Sequence, residues 1–503
     1  MPNARPMTSL SRHAATFALA LPLVAGLPLL ASFGPSTAAA AATAQEPLEN
    51  LKTVQAEILA KAIELAELAD DIKADVERDQ IYRCILAYDT DNKDARKALG
   101  YTKKKNEWVF KKYKEPKSRA GDDELADLSA KRKAAAEALA DRVDECFPTE
   151  NATARHKEER RAELANLAML DWNNEDLRER AGQKWDEERE EWRIFEVVDA
   201  KFDRLLREGL MKDLQANSPT GTRAELDPSG QATGIAFTTV IECPRALVAT
   251  TGTPEEGQRV LEIFHQAPDM LTQMFGIPDP FAQQGVQFRY YGLADPDLRL
   301  QFYQRHPEFQ GDPQYQSTIA GSQFGNYICC IASNQAAGRY DMAANQRVGN
   351  YLEQVFGADL NKGWVRAGLG LFLSSQLCGT RLTLWIQTDD YGEKDGPSLG
   401  ERLRDPSVDW LDEARLLLRR SSNPVNLVTV IGKKTADFSA EDLLASYAIS
   451  AYLFEGRRAD LIEILKGVGK GDNPTLTFEK HLGMPMDAFR ERLVEWLGEM
   501  RKG

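Results

Sequence analysis

Two stretches decide how this chain is read. They are Asp341-Met342-Ala343-Ala344-Asn345-Gln346-Arg347-Val348-Gly349 and, beyond Leu352 and Phe356-Gly357, Trp364-Val365-Arg366-Ala367-Gly368-Leu369-Gly370. Helix is expected from residue 342 onward, and residues four apart, such as Asn345 and Gly349, then share one helical face. Upstream, residues 235–251 carry strand-forming side chains, 254–275 read as a helix, and 286–291 and 327–333 read as strands. A sheet followed by helices predicts an α+β domain over residues 235–503.

Composition changes sharply before this domain. Of residues 45–215, 74 are charged, against 64 of the 288 that follow, so a boundary is expected between them. Residues 216–234 contain Asn217-Ser218-Pro219-Thr220-Gly221 and Asp227-Pro228-Ser229-Gly230, turn chemistry without apolar period, and predict a linker. Residues 45–215 predict an all-α module in which Leu51, Val54, Ile58 and Leu59 recur at helical spacing. An internal repeat runs through it at an 82-residue offset. Asp89 overlies Asp171, Asn92 overlies Asn174, and Asp94, Arg96 and Gly100 overlie Asp176, Arg178 and Gly182, each copy ending in Glu-Trp at 107–108 or 191–192. Each copy reads as a helical hairpin with an Asx cap and a Gly stop, and so offers either a partner-binding surface or a packing module.

At the N-terminus, Arg5 and Arg12 precede an apolar run over 14–33 and a small-residue stretch ending Ala42-Thr43-Ala44, the order of an export signal cut after Ala44. Residues 1–44 are therefore expected to be removed, leaving a periplasmic or extracellular protein without stable membrane insertion. Six Cys permit disulfides but fix no pairing, and no C-x-x-C spacing marks a thiolate metal site. A net charge of −14 argues against nucleic acid as a partner, and five His limit metal and general-base chemistry.

The two stretches quoted first resemble the MA-like gluzincin metallopeptidases. In that family one helix carries H-E-x-x-H and a later one begins Trp-x-x-Glu-Gly, whose Glu completes a zinc site. Tyr447-Ala448-Ile449-Ser450-Ala451-Tyr452-Leu453, Phe478-Glu479-Lys480-His481-Leu482-Gly483 and Trp496 are similar to the helical end of such domains. The frame is kept and the chemistry is not. The resemblance places Asn345 and Gly349 where the two His would stand, Gln346 at the general base and Ala367 at the third ligand. A neutral amide, a missing side chain and a methyl group cannot hold zinc, and an amide cannot take a proton from water near neutral pH.

Other signatures are absent. Gly432-Lys433-Lys434-Thr435 lacks the first Gly of a phosphate loop, Gly467-Val468-Gly469-Lys470-Gly471 lacks its Ser or Thr, and no G-x-S-x-G occurs. The acidic loop 389–395 departs from calcium-loop spacing, and Asn151-Ala152-Thr153 fits a glycosylation sequon or a helix start. His156, His265, His306 and His481 lie far apart. The expectation is an exported, non-catalytic, peptidase-like binding or scaffolding protein without cofactor or metal. Its partner is an unidentified protein or peptide, and the groove is lined by Asn345, Gln346, Arg347 and Arg366, the two Arg offering cations to carboxylates. The alternative is a hydrolase or other enzyme using a constellation the sequence does not mark.

Overall fold

The 82-residue repeat is visible as two successions of the same elements. Helix α1 (Glu46–Asp71) leads to α2 (Asp75–Tyr88), α3 (Lys93–Ala98) and strands β1 (Tyr101–Lys104) and β2 (Glu107–Phe110). Helix α4 (Asp122–Glu145) leads to α5 (Ala154–Leu167), α6 (Glu175–Arg180), β3 (Gln183–Asp186) and β4 (Glu191–Ile194), and then to α7 (Phe195–Ala216). The Asx caps form as expected: Ala95 N donates to Asn92 Oδ1 at 3.1 Å and Leu177 N to Asn174 Oδ1 at 3.0 Å. Gly100 follows α3 with φ +85°, and a Cβ there would lie 2.3 Å from the Lys112 carbonyl oxygen, so no other residue fits.

The all-α expectation for this part needs correction. Each succession closes in an antiparallel two-stranded hairpin, pairing Lys103 with Trp108 and Trp185 with Trp192. Four-residue strands such as Tyr-Thr-Lys-Lys are too short and too rich in helix-forming Lys to display a period of two. Leu51, Val54 and Ile58 of α1 share a core with Val143 of α4 and Leu164 and Leu167 of α5.

The described residues are 46–105, 107–113, 116–147, 152–325, 327–383, 398–420, 422 and 424–501 of a computed structural model. The expected leader, Asn151 of the sequon and the acidic loop 389–395 lie outside them. Among the described residues no helix is long and apolar enough to cross a membrane. All six cysteines are free thiols.

The second part mixes sheet and helices, in keeping with the α+β expectation. Its strands are β5 (Thr222–Arg223), β6 (Thr239–Cys243), β7 (Ala246–Thr250), β8 (Phe288–Leu293), β9 (Gly321–Phe324) and β10 (Ile328–Ala332). They form one six-stranded sheet in the order β5-β6-β7-β8-β10-β9, with β7, β8 and β10 parallel and the outer pairs antiparallel. The parallel pair β7 and β8 needs a crossover, supplied by α8 (Pro254–Phe275). A capping box of Thr253 and Glu256 starts α8, and Gly276 at φ +68° ends it.

A large helical core lies beside the sheet. It draws on α8, α9 (Ala336–Phe356), a π-helical segment (Trp364–Gly370), α10 (Leu371–Cys378), α11 (Ala440–Gly456), α12 (Arg458–Gly469) and α13 (Met486–Arg501). Ile194, Val197 and Ala200, from the end of β4 and from α7, belong to this core, whereas the first core ends at Ala181. The break between the cores therefore falls between Ala181 and Ile194. Beyond it, fully buried Glu196 accepts from Tyr452 Oη at 2.8 Å and Arg457 Nη1 at 3.2 Å.

Residues 216–234 hold β5 and a short helix, Pro228–Ala232, whose N-cap is Asp227. Ser229 Oγ donates to Glu308 at 2.9 Å, and Arg289 Nη2 donates to the same carboxylate at 2.8 Å. The Arg289 hydrogen bond pushes the Glu308 carboxyl down to about 2, burial opposing and Ser229 assisting. A depressed carboxyl stabilises the fold fully above its unfolded value of about 4.5, and that contribution disappears as pH falls towards 2. Glu308→Gln should therefore lower the urea midpoint at pH 6, with the gap to the unmodified protein closing steadily below pH 4.5. A gap independent of pH would refute the ion-pair account.

Candidate functional site

Helix α9 and the π segment meet beside the sheet. Gly357, at φ +67°, ends α9 with its N–H donating to the Glu353 carbonyl at 2.8 Å. The chain then returns through 358–363 and is anchored by fully buried Trp364, edge-on to Phe478. From Trp364 to Gly370 the helix widens to a π form, a rare local departure that clusters at functional sites. Glycine lets it lie close to its neighbours. A Cβ on Gly368 would come within 2.7 Å of Ser446 Cβ on α11, and one on Gly370 within 3.4 Å of Asn345 Nδ2.

Of the expected positions, the fold brings Asn345, Gln346 and Gly349 to one cavity between these helices, closed by Leu352, Leu360, Val365, Arg366 and Gly370. Its volume, about 10 Å³, suits a single water or one ligand oxygen. Ala367 does not line it; that methyl is fully buried in the large core. In the π segment, Arg366 and Gly370 take the face towards α9 instead.

Arg347 is not a cleft residue, and this corrects the expectation. It points to the opposite side of α9, donates to Asp279 through Nη2 and packs on the rings of Phe281 and Phe288 at 5.3 and 4.6 Å. Burial pushes its pKa down, against the pull of Asp279. Arg366 does reach the site, lining both the cavity and the open cleft above it. Burial also lowers its pKa, offset by the charge of Glu353.

The cleft has a volume of about 1080 Å³ and runs along β9, the edge of the sheet. Ala332 N donates to Ala320 O at 2.8 Å, directly opposite in the β9–β10 register. Antiparallel pairs alternate between bonded and non-bonded, so Ser322 and Phe324 turn their main-chain groups to β10, while Gly321 and Gln323 turn theirs to the open edge. Gln323 also ties the strand to the floor: its Oε1 accepts from Gln346 Nε2 at 2.9 Å and Asn350 Nδ2 at 2.8 Å. Lys362, Lys434 and Arg366 line the cleft against one acid, Asp359. In a chain of net charge −14 this is a local reversal of sign.

Chemically the cavity is a donor site. Asn345 is 4% exposed and its Nδ2 has no hydrogen-bond partner. No carboxylate, thiolate or imidazole lines the cavity, and the Gln346 amide cannot serve as a base. Asn345, Gly349 and Ala367 do not fit a zinc ion. Among the described residues no three His, Cys, Asp or Glu side chains converge to hold a metal. Nor does any His line the cleft. His306 is buried against Phe302, Tyr291 and Phe324, and its pKa falls with burial, as does that of His265.

No family model, curated protein or solved structure matches the chain.

Sequence reasoning missed Gln323, Lys362 and Lys434. Lys434 lies within the Gly432-Lys433-Lys434-Thr435 run, where Thr435 N donates to Asn361 O at 2.7 Å and so carries Lys434 to the cleft beside Lys362. Its cluster of Lys was the available signal, but only the long-range pairing gives it a position. Gln323 carried none, because its role depends on lying at a sheet edge.

Proposed function

We propose that this protein is an exported, non-catalytic relative of the gluzincin metallopeptidases, and that its cleft binds an extended segment of a partner protein or peptide. The observation that carries the reading is the open edge of β9, where the main-chain groups of Gly321 and Gln323 face a basic cleft of about 1080 Å³. An extended chain laid along such an edge gains main-chain hydrogen bonds without regard to sequence, and side-chain pockets supply selectivity. The order of Arg5, Arg12, the apolar run and Ala42-Thr43-Ala44 supports export. The substitutions at Asn345, Gln346, Gly349 and Ala367 support a binding rather than a hydrolytic role.

The test uses fluorescence anisotropy with labelled random peptides. Gln323→Pro removes an N–H that faces away from the β10 ladder, a place where an edge strand tolerates proline. It should weaken binding by about tenfold, the value of one or two hydrogen bonds. Gln323→Ala keeps the N–H and should bind within about threefold of the unmodified protein, since only side-chain contacts are lost. Equal binding by both variants would remove strand addition from the account. Chelator-sensitive cleavage of the peptides would replace the non-catalytic reading by an enzymatic one.

A further inference from the structure

We infer that the cavity beneath the cleft is a carboxylate pocket, in which a ligand carboxylate occupies the ground between α9 and the π segment. The inference rests on the cleft being the ligand site. Asn345 Nδ2 is a buried amide donor with no partner, directed towards the π segment where Gly370 leaves space for it. A buried donor left unpaired is costly, and a ligand acceptor removes that cost.

The lining decides which acceptor. Arg366, a cation, lines the same cavity. A second recess of similar size, between β9 and α9, is lined by Asn345, Gln346, Arg366, Ser322 and Thr383. Thr383 is buried there, and its Oγ1 is a further group without a hydrogen-bond partner. Gln346 already donates to Gln323 and Asn350, so it holds the floor rather than the ligand. No acid lines either recess, and Lys362 and Lys434 lie along the cleft above. A neutral carbonyl offers two lone pairs on one oxygen. A carboxylate offers two oxygens and about four acceptor sites, enough for Asn345, Thr383 and a guanidinium together. Each recess, about 10 Å³, has room for one such oxygen, while the rest of the ligand stays in the cleft.

A peptide can present this group at its C-terminus or on Asp and Glu side chains, and the experiment separates the two. Fluorescein-labelled random peptides lacking Asp and Glu are prepared with a free C-terminal carboxylate or as carboxamides, and a third pool is amidated but carries one internal Glu. Free-acid peptides should bind the unmodified protein about tenfold more tightly than carboxamides. Asn345→Asp, isosteric but negative, should abolish that preference. Recovery of tight binding by the third pool assigns the pocket to side-chain carboxylates as well; failure to recover assigns it to the C-terminus. If acid and amide peptides bind equally while Gln323→Pro still weakens both, the carboxylate pocket is refuted and the strand-addition reading stands. If no pool binds, both fall together.

Discussion

Asp279→Ala should destabilise the protein by about 3–5 kcal/mol, among the largest effects of any single substitution in the chain, because it strips the counter-charge from a buried guanidinium. Arg347 and Asp279 are both about 2% exposed, and neither lines the cleft. Asp279 also accepts from Phe281 N at 3.0 Å, capping the turn that carries Phe281 onto the Arg347 guanidinium. Removing the carboxylate thus loses a cap and leaves a cation against Phe281 and Phe288, which cluster with Tyr327. Arg347→Met should also be strongly destabilising on its own, since it keeps most of the volume but leaves the buried Asp279 carboxylate without its counter-charge. The double variant Asp279→Ala with Arg347→Met should regain a large part of the loss, as buried pairs replaced by apolar groups commonly do. Urea unfolding of the four proteins measures the cycle. If Asp279→Ala costs less than about 1 kcal/mol, the pair is not closed off from water as its burial implies.

The contrast between Arg347 and Arg366 shows what the sequence could convey. A helix with one wet face marks its inner residues by period, but α9 is buried nearly all round, from Ala343 to Leu352. Charge then ceases to mark the outer face, and Arg347, between buried Ala344 and Tyr351, could not be told from a cleft residue. The shared face was legible. Asn345 and Gly349 lie one helical turn apart, as their spacing required, and that face meets the segment after Trp364. The residue that meets them is Arg366 rather than Ala367, because a π turn shifts which side chains share a face and no sequence pattern announces it. In the N-terminal repeat the opposite holds. Asx caps and Gly stops are local chemistry and were readable at Asn92, Asn174, Gly100 and Gly182, whereas the paired strands after them depend on partners. At β9, on which the proposed function rests, the pairing with the next strand β10 is local, but its place at the sheet edge depends on the non-local pairing of β10 with β8.

Cutting the chain where composition changes should give an unstable fragment. Residues 216–503 are expected to lack a cooperative unfolding transition, whereas residues 182–503 should retain one. The difference is α7 with the β3–β4 hairpin before it. Ile194 and Val197 are buried in the large core, and burying such side chains contributes about 1.5–3 kcal/mol each. Glu196 on the same helix accepts from Arg457 and Tyr452, and its backbone carbonyl accepts from Trp496 Nε1 at 3.2 Å. Deleting it leaves Arg457 with Asp460 as its remaining ion-pair partner, and breaking a buried pair from one side costs about 3–5 kcal/mol. A second link goes with it, since Arg207 Nη2 donates to buried Glu455 at 2.7 Å and Arg204 Nε donates at 2.9 Å. These losses together reach the 5–15 kcal/mol that hold an ordinary domain folded. Near-ultraviolet circular dichroism and urea titration of both fragments decide the matter. A sharp transition for residues 216–503 at the midpoint of the longer fragment would show that α7 is an appendage, and that the charged module ends where its composition does.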